Sequence, residues 1–323
     1  MSHLISATQF NRESLTSLFL MADNLKSDRI IDPNRSSLLY VPPPAKSKIL
    51  ATLFFEPSTR TRLSFESAML KLGGKVISAC DSATCSAAKG ESIEDTISTV
   101  SNYADLIVLR TPVKGQAAKA AAVSQIPIIN AGDGTGEHPT QALLDLYTIK
   151  DHRSLDRLKV VICGDLLHGR TVHSLVRLLS HYKKLTLFLT SPKRLSLPDE
   201  LVDYLVARRV NLFRYGNIRE ALAENPDVVY MTRLQKERMV DYAIHEDRWK
   251  DFCLTVEDVQ KMPKDCLLMH PMPRNEEIPH DANIDLNERS MYLREQPRNG
   301  IAIRKSLIYL ILNGKVPYDT FEH

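Results

Sequence analysis

Short apolar runs rich in β-branched and aromatic residues alternate along this chain with longer segments whose apolar residues recur at helical spacing. That alternation restricts the fold more than any other feature. The runs Ile49 to Phe55, Leu106 to Leu109, Ile126 to Ile129, Val160 to Cys163, Leu185 to Leu189, Val228 to Tyr230 and Cys266 to Met269 read as strands. Helical stripes are carried by Leu15, Leu18, Phe19 and Leu25; by Leu63, Phe65, Ala68, Met69 and Leu72; by Ile93, Ile97 and Val100; and by Val172, Leu175, Val176 and Leu179. Further helices are expected over Ala142 to Ile149 and from about Ile301 to Leu312, the latter after a loop at Pro297-Arg298-Asn299-Gly300. Strand and helix in regular succession build parallel sheets covered on both faces. The expected fold class is therefore α/β, with two doubly wound domains, each a mainly parallel sheet flanked by helices.

At 323 residues and 43% hydrophobic, the chain can bury enough surface for two cores. A polar shift at Lys150-Asp151-His152-Arg153-Ser154 places the expected boundary, giving domains of 1–150 and 151–299 with the helix of about 300–323 packing back on the first. Pro42-Pro43-Pro44 reads as a stiff connector into the first strand. A net charge of +3, with basic residues scattered, argues against nucleic acid or a membrane surface as partner. Five cysteines without a Cys-x-x-Cys pair suit reduced thiols and a cytoplasmic location, and Cys80 and Cys85 read as bystanders.

The chemistry is most legible at Phe54-Phe55-Glu56-Pro57-Ser58-Thr59-Arg60-Thr61-Arg62. Pro57 ends the strand and a helical stripe follows, so Ser58, Thr59, Arg60 and Thr61 stand at a helix start. There open backbone N–H groups and the helix dipole favour an anion. Hydroxyls and guanidinium groups complete a phosphate cradle that lacks the glycines and lysine of a P-loop. Glu56 and Arg62 are expected to brace this loop as an ion pair.

In open α/β sheets ligands gather at the carboxyl ends of strands, and the segments following the other strands here are similarly equipped. They bring Arg110; a glycine-rich stretch Asn130 to Gln141 containing His138; Gly164-Asp165-Leu166-Leu167-His168-Gly169-Arg170; Met231-Thr232-Arg233-Leu234-Gln235-Lys236; and His270-Pro271-Met272-Pro273-Arg274. Arginine recurs without an obvious nucleophile or carboxylate dyad. Such a set holds polyanions and polarises a carbonyl. His168 and His173 share no third ligand and read as structural rather than metal-binding.

With these segments aligned, the chain resembles the aspartate branch of the aspartate/ornithine carbamoyltransferase superfamily over nearly its whole length. The Ser-Thr-Arg-Thr-Arg segment marks the superfamily. Tyr230 to Arg238 and His270-Pro271-Met272-Pro273-Arg274 mark the aspartate branch, with Met272 where the family usually has leucine. The resemblance implies that Ser58, Thr59, Arg60, Thr61 and Arg110 hold the phosphate of carbamoyl phosphate. It implies that Thr61, Arg110 and His138 donate to the carbamoyl oxygen, while Gln141 and the Pro271 and Met272 carbonyls bind the carbamoyl amino group. Arg170, Arg233 and Gln235 would bind the carboxylates of L-aspartate. Ser86 and Lys89 would reach a neighbouring subunit's site within a homotrimer, and a regulatory chain is left open. Domain closure would complete the site. The expected transferase uses no metal or organic cofactor.

An ornithine-specific relative, a silent binding subunit and a dinucleotide-binding dehydrogenase are the rival readings. The first would meet its cationic substrate with an acidic residue and carry a late His-Cys-Leu-Pro motif. The second would have lost site residues, and the third needs a Gly-x-Gly-x-x-Gly turn.

Overall fold

The computed structural model describes residues 2–26, 45–80, 86–236 and 249–319; the Pro42-Pro43-Pro44 connector, Cys85 and the 237–248 segment lie outside them. Contacts divide the chain into two compact units, Met1–Leu144 with Arg298–His323, and Asp145–Pro297.

The first unit opens with α1 (Arg12–Lys26), which buries Leu15, Leu18, Phe19 and Leu25 as the periodicity predicts, together with Ala22. Then follow β1 (Ile49–Phe54), α2 (Thr59–Lys71), β2 (Lys75–Cys80), α3 (Ile93–Val100), β3 (Leu106–Thr111), α4 (Gln116–Val123), β4 (Ile128–Asp133) and the start of α5 (Pro139–His152). The strands form a parallel sheet in the order β2-β1-β3-β4. Ala51, Leu53, Ile107, Leu109 and Ile128 pack with Ile97 of α3 and the alanines of α4 into one core. On α2 the buried set is Thr61, Phe65, Ala68 and Met69, whereas Leu63, expected on the apolar face, is 51% exposed. It lies two residues from Thr61 and Phe65, about 200° around the helix from either.

The second unit holds β5 (Lys159–Cys163), α6 (Arg170–Leu179), β6 (Thr186–Thr190), α7 (Asp199–Ala207), β7 (Asn211–Tyr215), α8 (Ile218–Leu222), β8 (Val228–Met231), α9 (Val256–Lys261), β9 (Leu267–Met269) and α10 (Ala282–Asp285). Its parallel sheet runs β7-β6-β5-β8-β9 over a core that includes Val161, Phe188, Val229, Trp249 and Tyr292. The last helix, α11 (Glu295–Leu312), begins six residues before the expected Ile301. The expected loop at Pro297 to Gly300 is helical because a proline in the first turn forfeits only an N–H that has no intrahelical partner. The division between the units falls within α5 and α11.

Two strands escaped the sequence reading, β2 and β7. Each is an outer strand of its sheet and, unlike the buried outer strands β4 and β9, is mostly exposed or half-buried, so neither carries the continuous apolar run that marks the others. The strand expected over Ile126 to Ile129 is displaced forward to Ile128–Asp133. The N-terminal segment fixes this shift: Leu4 N–H donates to Ile128 O and Asn130 N–H to Leu4 O, both at 2.8 Å, covering the outer edge of β4.

Candidate active site

Both sheets reverse direction beside their first strand. In the first, the chain moves from β1 out to β2 and returns to β3 on the other side; in the second, it runs from β5 out to β7 and returns to β8. The crevice at such a switch point is where α/β sheets take ligands. Phe54 of β1 stands level with Arg110 of β3, so the Ser58–Thr61 turn and Arg110 leave adjacent strand ends. In the second sheet Cys163 stands level with Met231, so Arg170 and the Arg233–Gln235 loop likewise follow adjacent strands.

Ser58 is the N-cap of α2 but makes no side-chain capping bond, and the first turn contains no acidic residue. The first intrahelical bond runs from Arg62 N–H to Ser58 O at 3.1 Å. Earlier N–H groups of a helix have no intrahelical partner, so this start offers donors together with Arg60. Helices α1, α3, α7, α8 and α9 all carry an acid in their first turn, the usual complement to the dipole. Helix α2 inverts that pattern with Arg60 and Arg62, and α6 inverts it by starting at Arg170. Cations at the positive end of a helix are tolerable where an anion is to be bound. Arg60 reaches solvent, although partial desolvation lowers its pKa from the ordinary arginine value.

Arg110 is 8% exposed and held on two sides. Its Nη1 donates to Ala131 O at 3.1 Å and its Nη2 lies 3.2 Å from Glu56 Oε2. Glu56 therefore braces Arg110, not Arg62 as expected. Arg62 turns instead to Cys80 Sγ and to Glu66, so Cys80 is a structural partner of the loop. The expected pairing failed because the partner of Glu56 comes from β3, a strand far away in sequence.

His138 is buried directly ahead of α5, and Gln141 lies in that helix's first turn. Their loop is pinned through Asp133, whose Oδ1 accepts from Glu137 N–H at 2.8 Å and whose Oδ2 accepts from Gly115 N–H at 2.9 Å. Gly134, at φ +52°, leaves no room for a side chain: an added Cβ would sit 2.5 Å from Pro112 O. Glu137 reaches the other way, accepting from Ser6 Oγ and Ala7 N–H at 2.7 Å each, and so ties the N-terminal segment to the histidine loop. Sequence reasoning gave Glu137 and Asp133 no role, although two acids in a glycine-rich loop were the available signal.

In the second unit, buried Asp165 joins the two loops beside the switch point. Its Oδ1 accepts from His168 N–H at 3.0 Å, and its Oδ2 accepts from Gln235 N–H at 3.2 Å. Its link to His168 Nδ1 at 3.1 Å, with His173 Nε2 bonded to Leu166 O at 2.8 Å, gives both histidines structural contacts. Arg170 is 7% and Gln235 8% exposed, while Arg233 is half-buried with Nη1 donating to Leu234 O. Asp165 went unremarked in the sequence, where an acid straight after a buried strand and a glycine was the only clue.

Beyond β9, Met272 adopts φ +58°, an uncommon conformation for a side-chain-bearing residue. Arg274 of the same motif is committed elsewhere: it pairs with Asp285 and donates to Tyr292 Oη and His280 Nδ1 at 2.9 Å each. The Arg274 hydrogen bond is the main cause that holds the Asp285 carboxyl below its usual pKa. Ser86 and Lys89 lie in a short 3-10 turn, with the Lys89 side chain exposed. Among the described residues no group of three or more His, Cys, Asp and Glu side chains could hold a metal ion, and no helix is long and apolar enough to cross a membrane.

Arginines at two switch points, beside helix starts left open for anions, suit a transferase that orients polyanionic small molecules without attacking them covalently. Residues 2–151 match the aspartate/ornithine carbamoyltransferase carbamoyl-P binding domain, and residues 156–311 match the Asp/Orn binding domain of the same proteins. The chain belongs to the aspartate/ornithine carbamoyltransferase family, as the resemblance of its motifs implied. It is 43% identical over 317 residues to the Arabidopsis thaliana chloroplastic aspartate carbamoyltransferase, covering 97% of this chain and 78% of that one. Among solved structures, the catalytic subunit of M. jannaschii aspartate transcarbamoylase superposes with a TM-score of 0.85 at 39% identity, covering 97% of this chain and 99% of that one. The Trypanosoma cruzi aspartate transcarbamoylase in complex with carbamoyl aspartate and phosphate gives a TM-score of 0.86 at 34% identity, covering 96% and 95% of the two chains.

Proposed function

We propose that this chain transfers the carbamoyl group of carbamoyl phosphate to the amine of L-aspartate, yielding N-carbamoyl-L-aspartate and phosphate for pyrimidine synthesis. The observation that carries the reading is full-length similarity to aspartate carbamoyltransferases, joined to arginines on both sides of the second unit's switch point. A dicarboxylate matches Arg170 and Arg233, and an ornithine side chain would be repelled by them.

Ser58, Thr59, Arg60, Thr61 and Arg110 bind the phosphate. Thr61, Arg110 and His138 donate to the carbamoyl oxygen as negative charge grows on it. Gln141 and the carbonyls of Pro271 and Met272 accept from the carbamoyl amino group. Arg170, Arg233 and Gln235 hold the two carboxylates of aspartate. The aspartate amine attacks the carbamoyl carbon, the carbon–oxygen bond to phosphate breaks, and the departing phosphate takes the amine's proton. No protein base is needed, so orientation and charge stabilisation carry the rate. Fixing Arg110 by Glu56 and Ala131 serves both, because a donor already in place needs no reorganisation as charge develops.

The reading extends to a homotrimer in which Ser86 and Lys89 serve a neighbouring chain, and to the cytoplasm, although the Arabidopsis relative is chloroplastic. The test is direct. Purified protein is given carbamoyl phosphate with either L-aspartate or L-ornithine, and the ureido product is measured. Product from ornithine alone, or from neither, would overturn the assignment.

A further inference from the structure

His270 and Glu277 are fully buried, and no step of the proposed reaction uses either. The His270 ring bridges two groups. Its Nδ1 accepts from Met272 N–H at 2.8 Å, and its Nε2 lies 2.9 Å from Glu277 Oε1. A backbone N–H can only donate, so Nδ1 carries no proton and Nε2–H donates to the carboxylate. Glu277 Oε1 also accepts from Asn275 N–H at 2.8 Å, and His270 N–H donates to Gln296 Oε1 at 3.0 Å. The imidazole is thus fixed in place and in tautomer.

The consequence lies in the peptide joining Pro271 to Met272, which is trans. Within a trans peptide the N–H and C=O point in opposite directions. Anchoring Met272 N–H to a buried ring therefore aims the Pro271 carbonyl away from that ring. We infer that His270, held by Glu277, is the positioning residue that directs the Pro271 carbonyl at the amino group of the carbamoyl donor. The inference rests on the proposed function for the identity of that donor.

Substitution of the ring can separate this role from plain structural support. Asparagine carries an oxygen on Cγ where histidine carries Nδ1, so His270→Asn keeps an acceptor for Met272 N–H while losing Glu277. His270→Leu keeps the bulk and removes the acceptor. The readout is the ratio of binding constants, by calorimetry, for carbamoyl phosphate and for acetyl phosphate, which has a methyl in place of the amino group. Wild type should prefer carbamoyl phosphate. His270→Leu should lose that preference by roughly tenfold, the size of one hydrogen bond, with acetyl phosphate bound as before. His270→Asn should restore it. An unchanged ratio in folded His270→Leu, or a wild type that binds both ligands equally, would overturn the inference. If thermal melts show His270→Leu to be unfolded, His270→Asn decides, since loss of preference in that variant is equally fatal. Turnover with aspartate is read separately: its absence in wild type would strike the proposed function, whereas the binding ratio tests the positioning role.

Discussion

Gly164 lies so close beneath the carbonyl of Thr232 that a Cβ added to it would stand 2.0 Å from that oxygen. The contact joins the ends of β5 and β8, reinforced by Thr232 N–H donating to Cys163 O at 2.8 Å. Gly164 also has φ +127°, which only glycine adopts readily. Gly164→Ala should therefore destabilise the protein by about 2–5 kcal/mol, combining backbone strain with overpacking. Denaturant melts would measure this, and a loss below the usual surface-mutant range would contradict the packing argument.

Arg60→Ala removes the guanidinium from the open start of α2. Turnover should collapse at saturating carbamoyl phosphate while the melting temperature stays near that of wild type. Near-normal turnover would count against a catalytic role for this side chain.

Arg233→Ala should chiefly weaken aspartate. Losing a charge-assisted hydrogen bond costs roughly 1.5–3 kcal/mol, so the aspartate requirement should rise at least about tenfold. A changed affinity for carbamoyl phosphate alone would move the residue to the other substrate.

Acid should destabilise the fold partly through His270 and Glu277. Burial is the leading cause that holds His270 below the ordinary histidine pKa, outweighing its bond to Glu277. The unfolded chain then takes up a proton below about pH 6.5 that the native protein refuses, so stability falls as pH drops from there towards the depressed value. For Glu277, burial acts to raise the pKa, but the His270 hydrogen bond and its other partners leave it below normal. Its contribution is present above about pH 4.3 and is lost as pH falls through the folded value. Melts between pH 8 and pH 5 should slope downward, and His270→Asn should flatten the slope. An equal slope in the variant would show that other groups set the acid limit.

If Lys89 serves a neighbour, Lys89→Ala and His138→Ala homotrimers should each be nearly inactive. Hybrids contain an interface joining an intact His138 to an intact Lys89, so activity should reappear after dissociation and reassembly together. A charge tag on one variant verifies exchange. Confirmed hybrids no more active than their parents would remove Ser86 and Lys89 from a shared site.

Much of this was legible in the sequence because the buried strands are continuous apolar runs, and the residues that follow them fall at the ends of a sheet whose topology such runs imply. The turn at Ser58 could be read from Pro57 and the helical stripe beyond. Strands β2 and β7 could not, since an outer strand such as Asn211-Leu212-Phe213-Arg214-Tyr215 is paired on one side and exposed over much of its surface. Partner choice was also hidden. Glu56 is six residues from Arg62 and 54 from Arg110, yet it is the distant arginine that β1–β3 pairing delivers. Asp165 required the same kind of knowledge, because Gln235 reaches it only when β8 lies beside β5.

The uncapped Ser58 has a thermodynamic reach beyond the chemistry. A helix of 13 residues that lacks its own side-chain cap can be completed by an anion on its first turn, so on the proposed function the substrate's phosphate would become part of the folded structure. Ligand at a hundredfold excess over its dissociation constant adds about 2.7 kcal/mol to stability. The melting temperature of this protein is thereby a gauge of phosphate-group supply: it should climb with carbamoyl phosphate, climb less with inorganic phosphate, and settle lowest when neither is present.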